Sequence, residues 1–304
     1  MNDRVRRSWL PWCVCLLALA HAGCSIKMMA INTLGNALAD GSSGFAKDDD
    51  PELVRDAIPF ALKTIESLIE QSPRHKGLLT AACSGFTQYS YAFIQQEADL
   101  VEAQDLDRAT AMRARAKKLF LRGRDYGIRA FEVEFPGFGS QLRANADGVL
   151  AKVTRKHVPL LYYTAAAWAA AFAVDIADSR LSVEQTLFEK MMRRALALDD
   201  AWELGSLHDF FISWDAAHAT TGSSIKSARD HFERANALAK GRRVSPFVNL
   251  AESVSVSEQN KAEFEQLLNQ ALAVDISLAP EQKLANVIAQ RRAKWLLSRI
   301  NELF

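Results

Sequence analysis

The chain has 304 residues, of which 49% are hydrophobic and 24% charged, and its 37 basic and 36 acidic residues give a net charge of +1. This is the composition of an ordinary globular protein with one large core or two modest ones. The balanced charge excludes an electrostatic argument for nucleic-acid binding or for adsorption to an anionic membrane surface.

The first 23 residues have the order of a secretory signal peptide. Three arginines between positions 4 and 7 precede an apolar run over residues 9–20, and the small residues Ala22 and Gly23 follow. The run is too short and wrongly flanked for a membrane-spanning helix. We therefore predict that residues 1–23 are removed, which takes away three arginines and one aspartate and leaves a net charge of about −1.

The small residues stand directly before Cys24, an arrangement that resembles a bacterial lipoprotein signal. His21 departs from the leucine that is usual at that place. We predict acylation of Cys24, the alternative being an ordinary secretion signal that ends near a cysteine. Residues 24–50 would then form a lipidated tether and residues 51–304 a helical domain. Ser25, in place of the aspartate that retains lipoproteins in the inner membrane, predicts an outer-membrane anchor facing the periplasm.

Helical signals begin at residue 50, where Asp50 and Pro51 form an N-cap followed by a proline in the first turn. Apolar residues then recur every three or four positions from Val54 to Ile69. Pro59 lies inside this pattern and predicts a kink or a break, and Pro73 predicts the end of the helix.

Similar patterns predict further helices, and no pair of alternating strands is evident, so we predict an all-α fold. The predicted spans are about 78–96, 103–132, 139–153, 159–177, 182–198, 200–214, 222–239, 246–254, 258–273 and 280–302. Gly85, inside the first of these, predicts the close approach of another helix because glycine otherwise weakens a helix.

The helix that begins at Pro159 is apolar nearly all round, since only Thr164 is strongly polar between Leu160 and Val174. A membrane span needs about 20 such residues, more than this run provides. A helix without a polar face is otherwise buried on all sides. We predict that it is the central helix of the core.

Four segments carry the spacing of small and large residues that is typical of the second helix of a tetratricopeptide (TPR) unit. The best matches are Ala61, Ile65, Leu68 and Pro73, and Ala228, Phe232 and Ala235; looser ones are Phe188, Met192 and Ala195, and Phe264, Leu268 and Ala271. The spacing is degenerate, so we predict a TPR-like stack of helical hairpins with a concave surface suited to binding.

Motifs for chemistry are sparse. No zinc-protease, CxxC, nucleophile-elbow or phosphate-loop pattern occurs, and "PGFGSQ" at 136–141 lacks a preceding strand, so we predict a loop there. Cys83 stands among small apolar residues, which predicts a buried, inert thiol rather than a reactive or interchain one.

The stretch "LHDFFISWDAAH" brings together His208, Asp209, Asp215 and His218. Asp215 and His218 are three residues apart on a helix and could bind a metal or form an acid–base pair. Such pairs are more often caps or surface contacts, so we predict no metal, no cofactor and no catalysis, and keep a metal-dependent enzyme as a minor alternative.

Two aromatic stretches, "GFTQYSYAFIQQEAD" (85–99) and "LYYTAAAWAAAF" (161–172), combine apolar walls with a few polar groups, as ligand sites do. The alternative is the aromatic core of a helical stack. The candidate cleft residues are Phe86, Gln88, Tyr89, Tyr91, Phe93, Gln95, Gln96, Tyr162, Tyr163 and Trp168.

These stretches resemble the T-component (TatT) family of tripartite ATP-independent periplasmic (TRAP) transporters. The resemblance extends in order along nearly the whole mature chain. It includes "GCSIKMMAINTLGNALA", "DDDPELVRDAIPFALKTIESLIEQSP", "RALALDDAWELGSLHDF", "ARDHFERANAL" and "PEQKLANVIAQRRAKWLLSRINELF".

The resemblance implies a periplasm-facing lipoprotein that forms a homotrimer and docks the extracytoplasmic solute-binding P-component. It also implies transfer of a small ligand, such as a hydrophobic organic acid. Of the family's functional residues only Cys24, as the acylated residue, is carried over to this sequence. The alternative function is a TPR-like envelope scaffold without a ligand.

Overall fold

The computed structural model of the protein describes residues 42–218 and 222–304, and these ranges contain helices and no strand, which confirms the all-α prediction. The α-helices are α1 (Ser42–Ala46), α2 (Pro51–Gln71), α3 (Lys76–Ser90), α4 (Gln96–Val101), α5 (Leu106–Glu134), α6 (Phe138–Ala144), α7 (Ala146–Leu150), α8 (Val158–Ala173), α9 (Ser179–Val183), α10 (Gln185–Leu198), α11 (Ser206–Ala217), α12 (Gly222–Ala239), α13 (Ser245–Leu250), α14 (Lys261–Ala273), α15 (Lys283–Ser298) and α16 (Ile300–Leu303).

The start of α2 follows the local rules. The Asp50 carboxylate accepts a hydrogen bond from the Leu53 amide at 3.0 Å, and Pro51 occupies the first turn. The helix continues through Pro59, so the predicted break does not occur. Burial of Val54, Leu62 and Ile69 along one face holds the segment helical on both sides of the proline.

Several predicted helices are divided in the structure. The span 139–153 forms α6 and α7, because Asn145 leaves the helical conformation and caps α7 by accepting from the Gly148 amide at 3.0 Å. The predicted loop at 136–141 is also partly wrong, since α6 begins at Phe138. The second predicted helix continues past residue 96, but through a π-helical turn at Tyr91–Gln95 that joins α3 to α4.

The helix α8 is buried among α3, α5 and α10, as its apolar sequence predicts. The closest crossing lies at Gly127 of α5, where an added Cβ would come within 2.1 Å of Thr164 Oγ1 and 2.9 Å of Cys83 Sγ. At Gly85 an added Cβ would meet the end of the Leu62 side chain, as the predicted close approach requires. The glycine at position 127 thus lets the backbones of α3, α5 and α8 approach one another.

Cys83 is fully buried at this crossing, and its Sγ lies 3.7 Å from Thr164 Oγ1. Burial raises the pKa of the thiol to about 12. A thiol that remains protonated and is out of solvent is a poor nucleophile, which fits the predicted inert role.

The buried apolar residues form two cores. The first core extends from Leu62 to Phe211 and includes Phe120, Phe131 and Trp168. The second core extends from Ile212 to Leu296 and includes Phe264. The TPR-like positions of the last three segments are buried in these cores, except for the partly buried Phe232.

The two cores are connected in two places. On α11, Phe211 belongs to the first core and its neighbour Ile212 to the second; we call this the apolar joint. On the other side α15 packs against α1 and α2, so the array of helices closes on itself. Across the described ranges, no helix has the length and apolar character that a membrane span requires.

Ion pairs link the ends of the array where α15 closes it. Lys283 pairs with Asp49, Arg291 pairs with Glu52, and Arg292 reaches Asp99 at 3.0 Å; we call these three pairs the ionic seam. The closure therefore rests on exposed and half-buried charges, whereas the apolar joint rests on fully buried side chains.

Candidate ligand-binding site

Tyr91 projects from the first π-helical turn towards charged residues that belong to the second half of the chain. The Tyr91 side chain is 49% exposed, yet surrounding protein raises the pKa of its hydroxyl, with burial as the main cause and the charge of Glu252 as the next. We call this region the inner hollow and define it by residues that act on one another electrostatically there: Tyr91, Tyr162, Tyr163, Glu203, Arg243 and Arg292.

Three aromatic rings form one wall of the inner hollow. The ring of Tyr162 lies 5.0 Å from that of Tyr163 and 4.8 Å from that of Trp202, and Tyr163 meets Trp202 edge-on at 6.0 Å. Burial, with smaller effects from Asp209 and Glu203, raises the pKa of Tyr162 above its ordinary value, and burial also raises that of Tyr163. Both phenols are therefore neutral hydrogen-bonding groups at physiological pH.

Two arginines lie at the hollow, each with its own carboxylate. Arg243 is 4% exposed and makes a two-pronged contact with Asp209, one arm at 3.2 Å, while Ser245 donates to the same carboxylate at 2.7 Å. Arg292 pairs with Glu252 as well as with Asp99. Such forked contacts fix both guanidinium groups in place.

Glu203 reaches the hollow from a strained turn between α10 and α11. Its φ of 43° and that of Leu204, 59°, are left-handed, a conformation that costs about 1–3 kcal/mol per residue outside glycine. Burial raises the pKa of the Glu203 carboxyl, an effect that Arg243 and a hydrogen bond with Gln282 partly offset. Both Tyr162 and Tyr163 lie within the electrostatic reach of this carboxyl.

Two π-helical turns contribute to the same region. Tyr91 belongs to the turn Tyr91–Gln95, and Glu252 belongs to the turn Ala251–Ser255, which continues α13. The charges of Glu252 and Arg292 act on the Tyr91 hydroxyl. Since an extra residue in a helical turn redirects the side chains that follow it, such turns are common at functional sites.

A family model described as TRAP transporter T-component matches residues 47–304, which is most of the chain. This chain belongs to the TRAP transporter T-component family. It is thus an accessory component of a TRAP transport system. A protein of Treponema pallidum (strain Nichols), described as uncharacterized, is 28% identical over 322 aligned residues, which cover 100% of this chain and 99% of that protein.

The structure of this T-component brings some of the candidate cleft residues together and separates others. Tyr91, Tyr162 and Tyr163 line the inner hollow. Phe93 and Gln96 line a neighbouring groove of about 100 Å³ that α2 and α15 border, and Gln96 also hydrogen-bonds Tyr91. Gln96 thus links the groove to Tyr91 of the hollow.

The remaining candidates lie elsewhere in the T-component. Phe86 is stacked on Tyr126 at 5.9 Å, and Tyr89 is buried in the first core. Trp168 is 1% exposed, with the guanidinium of Arg124 over its ring at 5.1 Å. Gln88 is exposed and donates to the Ser84 carbonyl, and the Oε1 of Gln95 is buried without a hydrogen-bond partner among the described residues.

The histidine cluster forms a different contact from the one its spacing suggests. His208 lies 2.7 Å from His231 of α12, Nδ1 to Nδ1, while the ring of His218 packs on Trp214 at 3.9 Å. Asp215 lies 3.8 Å from His231. Across residues 42–218 and 222–304, no group of three or more histidine, cysteine or acidic residues could hold a metal ion.

Sequence reasoning missed much of the hollow. Trp202 and Glu203 lie in one turn, and Arg243, Glu252 and Arg292 come from three other segments. The sequence places Asp209 in a candidate metal or acid–base cluster and gives no sign of its contact with Arg243. The glycine at position 205 is the local sequence signal for a turn here. In the structure Gly205 ends the strained turn with a φ of 87°.

Proposed function

We propose that this T-component is a lipid-anchored, periplasm-facing accessory protein that docks an extracytoplasmic solute-binding protein and passes a small ligand through the inner hollow. The match of the family model over residues 47–304 is the observation that carries the proposal. We propose no catalytic step.

The anchor would be the acylated Cys24. Each buried CH₂ group of an acyl chain contributes about 0.8 kcal/mol, so two or three chains hold a protein stably at a membrane. Confinement of this kind raises the local concentration of the T-component near a soluble partner. Residues 24–50 would act as the tether between the lipid and the helical domain.

The inner hollow supports the ligand half of the proposal. Its wall of Tyr162, Tyr163 and Trp202 offers a large apolar surface, and the polar groups around it are few and fixed. This combination is usual for small-molecule sites. The hydrophobic organic acid that the resemblance implies would have to compete with Asp209 and Glu252 for the two arginines.

The test is capture of partners and ligands from envelope extract with the full chain, tagged after Phe304, followed by mass spectrometry of proteins and small molecules. Recovery of a solute-binding protein is the expected result. Tyr162→Ala should lose the small molecule and keep the protein partner, whereas Val183→Ala, a truncation at a residue 78% exposed, should change neither.

Recovery of envelope-assembly proteins alone would contradict docking to a transporter and favour the scaffold. Lipidation has its own test, because Cys24→Ala should abolish incorporation of labelled fatty acid. Labelling that persists in this variant would show that the acylated residue is elsewhere, and no labelling of the unmodified chain would show that the leader is an ordinary secretion signal.

A further inference from the structure

We propose that the exposed face of α5 is the surface on which the T-component docks the solute-binding protein, through carboxylates arranged in a row on that partner. The inference rests on the proposed function, since it locates the docking step and names the chemistry of the partner's surface. The residues that carry it are Arg108, Arg115, Lys118, Arg122 and Arg129, which we call the basic row.

The basic row lies along one side of a single helix. Positions 108, 111, 115, 118, 122, 125 and 129 of α5 alternate between spacings of three and four residues, which keeps side chains on one face of a helix. Each of these positions is exposed. Because successive arginines are seven residues apart, they recur about every 10.5 Å, and the row from Arg108 to Arg129 is about 31 Å long.

The fold leaves most of the positive charge of the row without a partner. Arg122 pairs with the buried Glu66, and the guanidinium of Arg129 lies over the Tyr126 ring at 5.1 Å. Within residues 42–218 and 222–304, four of the five cations pair with no carboxylate: Arg108, Arg115, Lys118 and Arg129.

The acidic residues of the same helix do not fill that gap. Asp125, which lies within the row, pairs with Arg124 at 2.7 Å. Asp105 caps α5 by accepting from the backbone amide of Arg108 at 2.9 Å. Asp107 is adjacent to Arg108 in the chain, and adjacent residues do not face each other on a helix. Carboxylates on a partner would therefore meet cations that have no competing ion pair.

A concavity of about 300 Å³ opens at the Arg129 end of the row. Its buried carboxylate, Glu66, is shared by three donors, since Lys63 and the Tyr126 hydroxyl each donate to it at 2.7 Å and Arg122 pairs with it. Arg129 at the rim has no such carboxylate, so an acidic side chain of the partner can bind there. The concavity is lined by Lys63, Glu66, Ile69, Glu70, Pro73, Arg122, Tyr126 and Arg129.

An acidic protein surface fits the row better than an anionic membrane does. The net charge of the chain is +1, so a polyanionic surface attracts the molecule as a whole only weakly. Four of the five cations are arginines, whose forked guanidinium groups hold single carboxylates in a fixed geometry. Helices that lie on membranes also insert large apolar side chains, whereas the apolar position within the row is Ala111.

The first experiment places a photocrosslinking amino acid at Ala111 of the full chain, in the middle of the row, and irradiates it in envelope extract. The crosslinked peptide is identified by mass spectrometry. We expect a crosslink to an acidic segment of a solute-binding protein. The matched control is the same photocrosslinker at Val183, which is 78% exposed on α9 and should give no such product.

The second experiment measures the rate and affinity with which the full chain binds the crosslinked solute-binding protein by surface plasmon resonance. Arg115→Glu with Lys118→Glu should lower the affinity at least tenfold, mainly through slower association, because exposed charges steer encounter. The affinity of the unmodified chain should fall as salt rises, and the double variant should lose this dependence. Both side chains are exposed, so the melting temperature should not change.

The matched control is Lys240→Glu with Lys294→Glu, which makes the same change in charge at two exposed positions outside the row. Its affinity for the solute-binding protein should equal that of the unmodified chain. Equal losses in the two double variants would mean that overall charge, and not the basic row, sets the affinity, and would overturn the proposal.

The outcomes separate the docking surface from the proposed function. Crosslinks from Ala111 to phospholipid or to a different protein, or no crosslink there, would overturn the assignment of the row. If the capture experiment nevertheless recovers a solute-binding protein, docking stands and uses another face. If capture also fails, the docking half of the proposed function fails with it.

Discussion

The two sides on which the cores meet differ in how they are held. At the apolar joint, Phe211 and Ile212 are fully buried and continuous with both cores. At the ionic seam, Arg291 and Glu52 are about half exposed, and the contacts are between charges. Buried apolar contacts stabilise strongly and exposed ion pairs weakly, so we expect the apolar joint to hold the molecule together and the seam to yield first.

Truncation of a side chain at the apolar joint should cause the largest loss of stability. Phe211 is stacked on His231 at 5.0 Å, with the guanidinium of Arg193 over its ring. Phe211→Ala should lower the free energy of unfolding by about 3–5 kcal/mol, as measured by urea denaturation. Phe60→Ala is the control because Phe60 is 80% exposed. Equal losses in the two variants would contradict the importance of the joint.

Overpacking within the first core should cause the next largest loss of stability. Gly127→Ala forces its Cβ against Thr164 and Cys83 at the crossing of three helices and should cost about 1–3 kcal/mol. Gly85→Ala meets only the mobile end of Leu62 and should cost less. Thermal melts of the two variants make the comparison. A larger loss for Gly85→Ala would show that the crossing at Gly127 adapts.

The contact between α11 and α12 should make stability depend on pH. Burial lowers the pKa of His208 to about 4, and burial also lowers that of His231. Below pH 6.5 the unfolded chain binds protons that the folded chain does not, so stability falls as the pH falls from 6.5 towards 4. The loss between pH 7 and pH 5 should be about 2 kcal/mol.

His208→Asn should flatten this pH dependence in urea denaturation, whereas His218→Gln, a change in an exposed ring, should leave it in place. A slope that survives in His208→Asn would assign the pH dependence to groups other than His208.

Changes at the ionic seam should have the smallest effect on stability. Arg291→Gln breaks the pair with Glu52 and should cost less than about 1 kcal/mol, a difference that 1 M salt removes. The charge exchange Glu52→Arg with Arg291→Glu should restore the original value. A loss above about 2 kcal/mol, measured by denaturation at low salt, would mean that the seam holds the array as strongly as the joint.

Local sequence signals determined most of the helices and the identity of the central one. Asp50 and Pro51 begin α2 by satisfying its first amides, and the apolar run after Pro159 has no polar face to leave in water, so it must be buried. Because capping and periodicity act within a few residues, a reader of the sequence can evaluate them. The breaks at Asn145 and at the two π-helical turns depend on packing between helices and were not predicted.

The binding surface was decided by tertiary structure. Sequence reasoning proposed Tyr91, Tyr162 and Tyr163 from their composition, but could not separate them from Phe86 or Trp168, which the fold encloses. Arg292 and Asp99 are far apart in the chain and pair because the array of helices closes on itself. The type of a residue determines whether it can be buried or can bind a ligand. Which charged residues face each other depends on contacts between distant segments of the chain. Those contacts form only in the folded protein.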